Sequence, residues 1–300
     1  MATRERAKTR EFRSILCAVD FGPPSTAALQ VAADIAVRSG GRVTALCVED
    51  PLLGQGAAAV GYDTSLLRKA TLVQLQRLIE RVAMPIGLSA DKWSLETMLG
   101  KPVPTILSFA RRMNADLVVM GTDGRRGPGK LFFGSTAEGV LRRSHLPVLV
   151  VPRSRPRVKG RGVVARRLLG ALELGPDRRG DARRLAAAAA AFDAPLTLLH
   201  VVPITPGPPW FAPQLEKHDR ARLVAAKASL ERLAASVKAQ SRVVLGRPNE
   251  EIPAVALDAR AGAIALILRR GRGLFGPRQG TTTYRVLCGS PVPVLALPPI

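Results

Sequence analysis

The chain has 300 residues, 47% hydrophobic and 23% charged, a balance that supports a buried core and excludes intrinsic disorder. With 45 Lys and Arg against 23 Asp and Glu the formal net charge is +22, a field that draws polyanions of any kind but carries no information about fold. Three cysteines, Cys17, Cys47 and Cys288, without CxxC spacing exclude a disulfide framework and a zinc site. No apolar run reaches ~18 residues, so no membrane span or signal segment is expected and the protein is expected in the cytoplasm.

Single cores stop growing near ~250 to 300 residues, so two domains are expected. Residues 1–13 carry five basic side chains and read as a flexible basic N-terminus. From Ser14, short apolar runs alternate with helical patterns, the signature of βαβ units and a parallel sheet. The spacing predicts strands at Ser14–Asp20, Arg42–Val48, Trp93–Leu99, Asp116–Gly121 and Val148–Val151. Helices are predicted at Ser25–Ser39, Ser65–Met84, Val103–Met113 and Ser135–Arg143. Residues 153–166 are rich in Pro, Gly and Arg and read as a linker.

The pattern then starts again. SILCAVDFGPP from Ser14 is echoed by RLLGALELGPD from Arg167, and LGKPVPTILSFARRMNADLVVM ending at Met120 by LGRPNEEIPAVALDARAGAIALIL ending at Leu268. LPVLVVP ending at Pro152 is echoed by VPVLALP ending at Pro298. The expected fold class is α/β: two tandem Rossmann-like domains, 14–152 and 167–300, each an open five-stranded parallel sheet with helices on both faces. The apolar edges VLVVP and VLALP are expected to pair, packing the halves as an intramolecular pseudo-dimer. In the Pro-rich loop Pro203–Pro213, Trp210 and Phe211 are expected to plug the loop against the sheet.

The chemistry concentrates in LVVMGTDGRRGPGKLFFGST, Leu117 to Thr136. Gly121 and Gly124 let the backbone turn sharply and approach a ligand. Gly134, Ser135 and Thr136 open a helix whose unpaired amides and dipole favour an anion. In an open α/β sheet such a cradle belongs at the carboxyl ends of the strands, where strand order reverses. Asp20, ending the first strand, then faces a ribose hydroxyl or base amine, or else caps the next helix.

The spacing G-x2-G-x9-G-[ST], here Gly121, Gly124, Gly134 and Ser135, resembles the ATP-binding signature of the universal stress protein family. A first strand ending in Asp before a Gly-Pro turn and a final PVLVVP strand extend the resemblance, and two copies cover nearly the whole chain. The resemblance implies an adenine nucleotide alpha hydrolase-like fold and bound ATP, with Asp20 and Val48 at adenine and ribose. It places Met120, Gly121 and Gly124 along the nucleotide and Gly134, Ser135 and Thr136 at the phosphates, where a Mg²⁺ or Mn²⁺ ion accompanies them. It also implies a stress-response binding module, with further homodimerisation.

The second half departs from the pattern. Arg269 or Arg270 stands where the first glycine belongs, the loop is shorter, and Glu173 replaces the aspartate. This half is not expected to bind ATP in the family's way, although Gly280, Thr281 and Thr282 keep a helix start that attracts anions. G-x4-G-K at Gly124 to Lys130 is followed by Leu131 rather than the Ser or Thr of a P-loop, and GxGxxG at Gly271, Gly273 and Gly276 is followed by Pro277. His145, His200 and His218 have no nucleophile or paired carboxylate at motif spacing, so catalysis beyond slow ATP hydrolysis is not expected. The rival reading is a nucleotide-independent protein whose basic surface holds nucleic acid or acidic partners; no reader motif supports it.

Overall fold

The computed structural model describes residues 12–52, 56, 64–83, 85–122, 134–153, 166–175, 178–269 and 281–299. Nearly all of the basic N-terminus and the linker, together with Gly124, Gly280 and both decoy motifs, lies outside these residues.

The first half runs β1 (Ser14–Val19), α1 (Pro23–Ser39), β2 (Arg42–Glu49), α2 (Thr64–Ala83), β3 (Trp93–Leu99), α3 (Pro102–Arg112), β4 (Leu117–Thr122), α4 (Ser135–Arg143) and β5 (Val148–Pro152). The second repeats it: β6 (Leu168–Ala171), α5 (Arg179–Ala191), β7 (Leu196–Pro203), α6 (Ala212–Ser236), β8 (Gln240–Gly246), α7 (Pro248–Asp258), β9 (Ala263–Ile267), α8 (Thr282–Gly289) and β10 (Val294–Leu297). Helix α1 starts at Pro23, two residues before the expected Ser25. Proline suits a first helical position, where its missing N–H is not needed and its φ is already helical. The helix stops at Gly40, whose φ of 64° is left-handed.

All ten strands form one sheet in the order β3-β2-β1-β4-β5-β10-β9-β6-β7-β8. Pairing is parallel within each half and antiparallel only between β5 and β10, where Val148, Leu149 and Val150 face Ala296, Leu295 and Val294. The two apolar edges expected to pair therefore do so. Strand neighbours alternate between faces, and so do their cores. Ile15, Cys17, Val43 and Leu117 pack beneath α1 and α2 in a cluster that continues through Leu149 and Leu295 to Leu168 and α5. Leu16, Leu46, Val118 and Val150 pack beneath α3 and α4 in a second cluster that continues to Leu169, Leu199 and α7 and α8. Phe12 and Phe192 tie the halves once more, with ring centroids 4.9 Å apart. Both cores thus cross the seam.

Trp210 and Phe211 do not plug the sheet. They lie on a single 3-10 turn, Pro209–Phe211, with 82% and 47% of their surface exposed. A buried polar clamp holds this loop instead. The Asp219 carboxylate accepts hydrogen bonds from Thr205 N (3.1 Å), Thr205 Oγ1 (2.6 Å) and Arg222 Nη1 (3.0 Å). Those bonds, the Thr205 hydroxyl foremost, hold the Asp219 carboxyl below its ordinary range. Three donors from Thr205 and Arg222 close on one carboxylate there, so the loop is anchored by polar contacts while the aromatic side chains stay exposed.

Leu149 and Leu295 are fully buried opposite each other at the seam. Leu149→Ala should cost about 2 to 5 kcal/mol, as large-to-small changes in packed cores do. Urea unfolding followed by circular dichroism should show one transition moved to lower denaturant. Two separated transitions would contradict a core shared across the seam.

Candidate functional site

In the first half β1 is central: the chain steps outward to β2 and β3 on one side, then returns to β4 and β5 on the other. Strand order reverses between β1 and β4, and a crevice opens at their carboxyl ends. Asp20 follows β1 directly, and the register that sets Val19 opposite Cys47 brings Asp20 level with Val48 on β2. On the other side Ala18 faces Met120, so Gly121 and Thr122 end β4 beside Asp20. The structure therefore gathers Asp20, Val48, Met120 and Gly121 along one edge.

Asp20 is exposed and does not cap α1. Its Oδ1 accepts from Gly22 N at 3.0 Å, and Gly22 is the N-cap residue. Val48 is half-buried and packs with buried Met120 on the α3–α4 side of the sheet. Gly121 has a different reason from the one its spacing suggests. A Cβ there would lie 2.3 Å from the Pro24 carbonyl carbon and 2.4 Å from its oxygen. The missing side chain admits the first turn of α1 against β4, and close packing rather than ligand approach is what demands glycine.

Gly134 is the N-cap of α4 with φ 82°, in the left-handed region, and a Cβ there would meet nothing within 4 Å. Its glycine is required by backbone conformation. Among the described residues no side chain caps α4, and its first turn carries Ser135, exposed, and Thr136, half-buried. As the helix that follows β4, α4 starts at the carboxyl edge where Asp20 lies. Glu49, the last residue of β2, was not singled out from the sequence. Its buried Oε1 has no hydrogen-bond partner among the described residues, so it is a further acceptor at this edge. Burial, then Glu49 and Asp20, push the Cys47 thiol up to about 11, and burial raises Cys17 further, so both stay protonated core groups.

The second half holds the same frame with other contents. Its register places Ile267, not an arginine, at the position of Gly121: Ile267 faces Leu297 on β10 as Gly121 faces Val151 on β5. Arg269 lies two residues beyond. It crosses the mouth of the crevice to Asp181 (3.3 Å) and Glu173 (3.9 Å), the residue at the Asp20 position. Thr281 caps α8 with its own side chain, accepting from Tyr284 N at 3.3 Å. A cavity of about 640 Å³ opens here among Leu172, His200, Val201, Arg222, Leu266 and Ile267. His200 Nδ1 lies 3.1 Å from Leu172 O, and burial lowers its pKa against the opposing pull of that carbonyl and of Glu173. Neither His200 nor Arg222 stands out in the sequence, because they come from β7 and α6 and meet only in the fold. Among the described residues no group of three or more His, Cys, Asp and Glu is placed to hold a metal. None of the described helices is long and apolar enough to cross a membrane.

Fold and site define a duplicated α/β protein of the Rossmann-like kind, with a crevice in each half. A family model for the universal stress protein family matches residues 11–152 and again 165–298, and the chain belongs to that family. A universal stress protein of Methanocaldococcus jannaschii is 32% identical over 142 residues, covering 47% of this chain and 82% of its own length. One from Thermus aquaticus is 31% identical over 143 residues, covering 47% of this chain and 98% of its own. A universal stress protein structure from Archaeoglobus fulgidus is similar over 96% of this chain and 98% of its own, with a TM-score of 0.60 at 19% identity, and so shares the tandem fold.

Two outcomes follow. Gly121→Ala should lower the melting temperature by several degrees, since its Cβ meets fixed backbone rather than a flexible side chain; unchanged stability in differential scanning calorimetry would remove the packing explanation. His200 has a folded-state pKa below its ordinary value near ~6.5. The unfolded chain therefore binds the proton more readily, so the His200 contribution is present above ~6.5 and is lost as pH falls below it. The drop in melting temperature between pH 7 and pH 5 should be smaller in His200→Gln than in the parent protein.

Proposed function

We propose that this chain is a cytoplasmic stress-response binding module that holds ATP in the crevice of residues 14–152, with residues 167–300 as a degenerate partner domain. The observation that carries this is the start of α4. Gly134 opens it in a left-handed conformation, and among the described residues no side chain caps it. Phosphates there meet free amides and the positive end of the helix dipole, with the Ser135 and Thr136 hydroxyls as added donors. Val48 and Met120 offer an apolar wall for adenine, and Asp20 an acceptor for ribose hydroxyls. Gly121 shapes the end of β4 by packing, and Gly124, between β4 and α4 in the sequence, belongs to the same reading.

A divalent cation fits as the companion of the phosphates, whose charge it would screen, since among the described residues no carboxylate cluster is placed to hold it. The module is read as sensing nucleotide, with any hydrolysis slow and incidental. Homodimerisation through the outer surfaces is part of the same reading.

Isothermal calorimetry with Mg-ATP tests it. The parent chain should bind one equivalent. Ser135→Glu should weaken binding at least about tenfold by setting a carboxylate against the phosphates, while a first-turn acid leaves α4 no less stable. Asp20→Ala should weaken it less. Equal affinity in Ser135→Glu and the parent would remove the α4 site.

A further inference from the structure

The second-half crevice has lost the features that suit a polyphosphate, yet it is not filled. At its helix start Thr281 takes the Tyr284 amide with its own side chain, where α4 begins at a glycine that has none. Ile267 puts a branched side chain where Gly121 has none. The cation at its mouth, Arg269, is already matched by Glu173 and Asp181, which line the same cavity, so it offers little net positive charge to a polyphosphate. What remains is a cavity of about 640 Å³, within the ~300 to 1,000 Å³ usual for small-molecule sites. Leu172, Leu199, Val201, Leu266 and Ile267 give it aliphatic walls.

One fixed donor faces this space. Arg222 lines the cavity, and its bonds to Pro203 O (2.8 Å), Thr205 Oγ1 (3.0 Å) and Asp219 Oδ1 (3.0 Å) all run through Nη1. Asp219 is itself buried and pinned by Thr205, so the guanidinium is held through one terminal nitrogen, Nη1, while Nη2 and Nε make no hydrogen bond among the described residues. A pre-organised planar fork of N–H groups matches the two oxygens of a carboxylate. His200 beside it adds one neutral ring nitrogen.

We propose that this crevice is a second, separate ligand site that takes a mostly apolar organic monocarboxylate of nucleoside size, its carboxylate on Arg222 and its body on the aliphatic walls. The site is independent of the nucleotide crevice, which is built from other strands on the other side of the β5–β10 seam.

The test is calorimetry of the full chain with naphthalene-2-acetate and with its uncharged counterpart naphthalene-2-acetamide, each with and without saturating Mg-ATP. The acid should bind with one equivalent per chain, at least ten times more tightly than the amide, and ATP should not displace it. Ser135→Glu should leave this binding unchanged even though it disrupts the nucleotide site, so the two readings fail separately. Arg222→Gln should weaken the acid at least tenfold and leave the amide as it was. Should that variant not fold, Ile267→Trp, which fills the cavity from a partly exposed strand end, should abolish binding of both probes. The proposal is overturned by absence of saturable binding, by equal affinity for acid and amide, by displacement with Mg-ATP, or by full binding in a folded Ile267→Trp.

Discussion

The pairing of β5 with β10 governs the rest of the molecule. A doubly wound half ends in an edge strand, and here both edges, VLVVP in β5 and VLAL in β10, are apolar runs buried at every position. Left open, each would expose unpaired amides beside a hydrophobic surface, the condition that leads to uncontrolled association. Joining them antiparallel closes both edges at once and merges two five-stranded sheets into one. It also lets Leu149 and Leu295, Val150 and Val294 complete cores that neither half finishes alone.

That seam has a consequence for the sites. Because pairing is parallel inside each half and antiparallel between them, the carboxyl ends of the strands face opposite ways across the seam. The crevices at those ends are separate, and each is free to change without disturbing the other. Their divergence is confined to a few positions with distinct physical effects. At the helix starts, α4 has Gly134 as its N-cap, whereas α8 has Thr281, whose side chain takes the Tyr284 amide. Asp20 against Glu173 exchanges an exposed acceptor for one tied to Arg269. Gly121 against Ile267 exchanges an intimate strand–helix contact for a side chain that lines a cavity. The scaffold persists because the buried strand cores, not these end positions, carry its stability.

The large positive charge belongs to neither crevice in particular. Much of it lies in the first thirteen residues and between Arg153 and Arg167. Within the packed halves, basic side chains are often matched locally on their own helix, as Arg142 is by Glu138 and Arg38 by Asp34. Such exposed pairs contribute little stability, about 0 to 1 kcal/mol each, so the charge acts on what approaches the protein rather than on its fold.

The sequence by itself determined the duplication, the α/β class, the strand and helix order and the glycine loop that opens α4. All of these are written in local periodicity and spacing, where residues a few positions apart suffice. It also anticipated the paired edges, because an apolar strand at the end of a repeat has one physical remedy. Tertiary structure decided what depends on residues distant in the chain. Only the strand register shows that Ile267, rather than an arginine, stands at the glycine position. Only packing shows that Gly121 answers to Pro24, that Trp210 stays in solvent, and that Arg222 and His200 share a cavity with Ile267. A residue type announces its own conformational and chemical possibilities, whereas its neighbour across the fold is chosen by long-range pairing and the close packing of the interior.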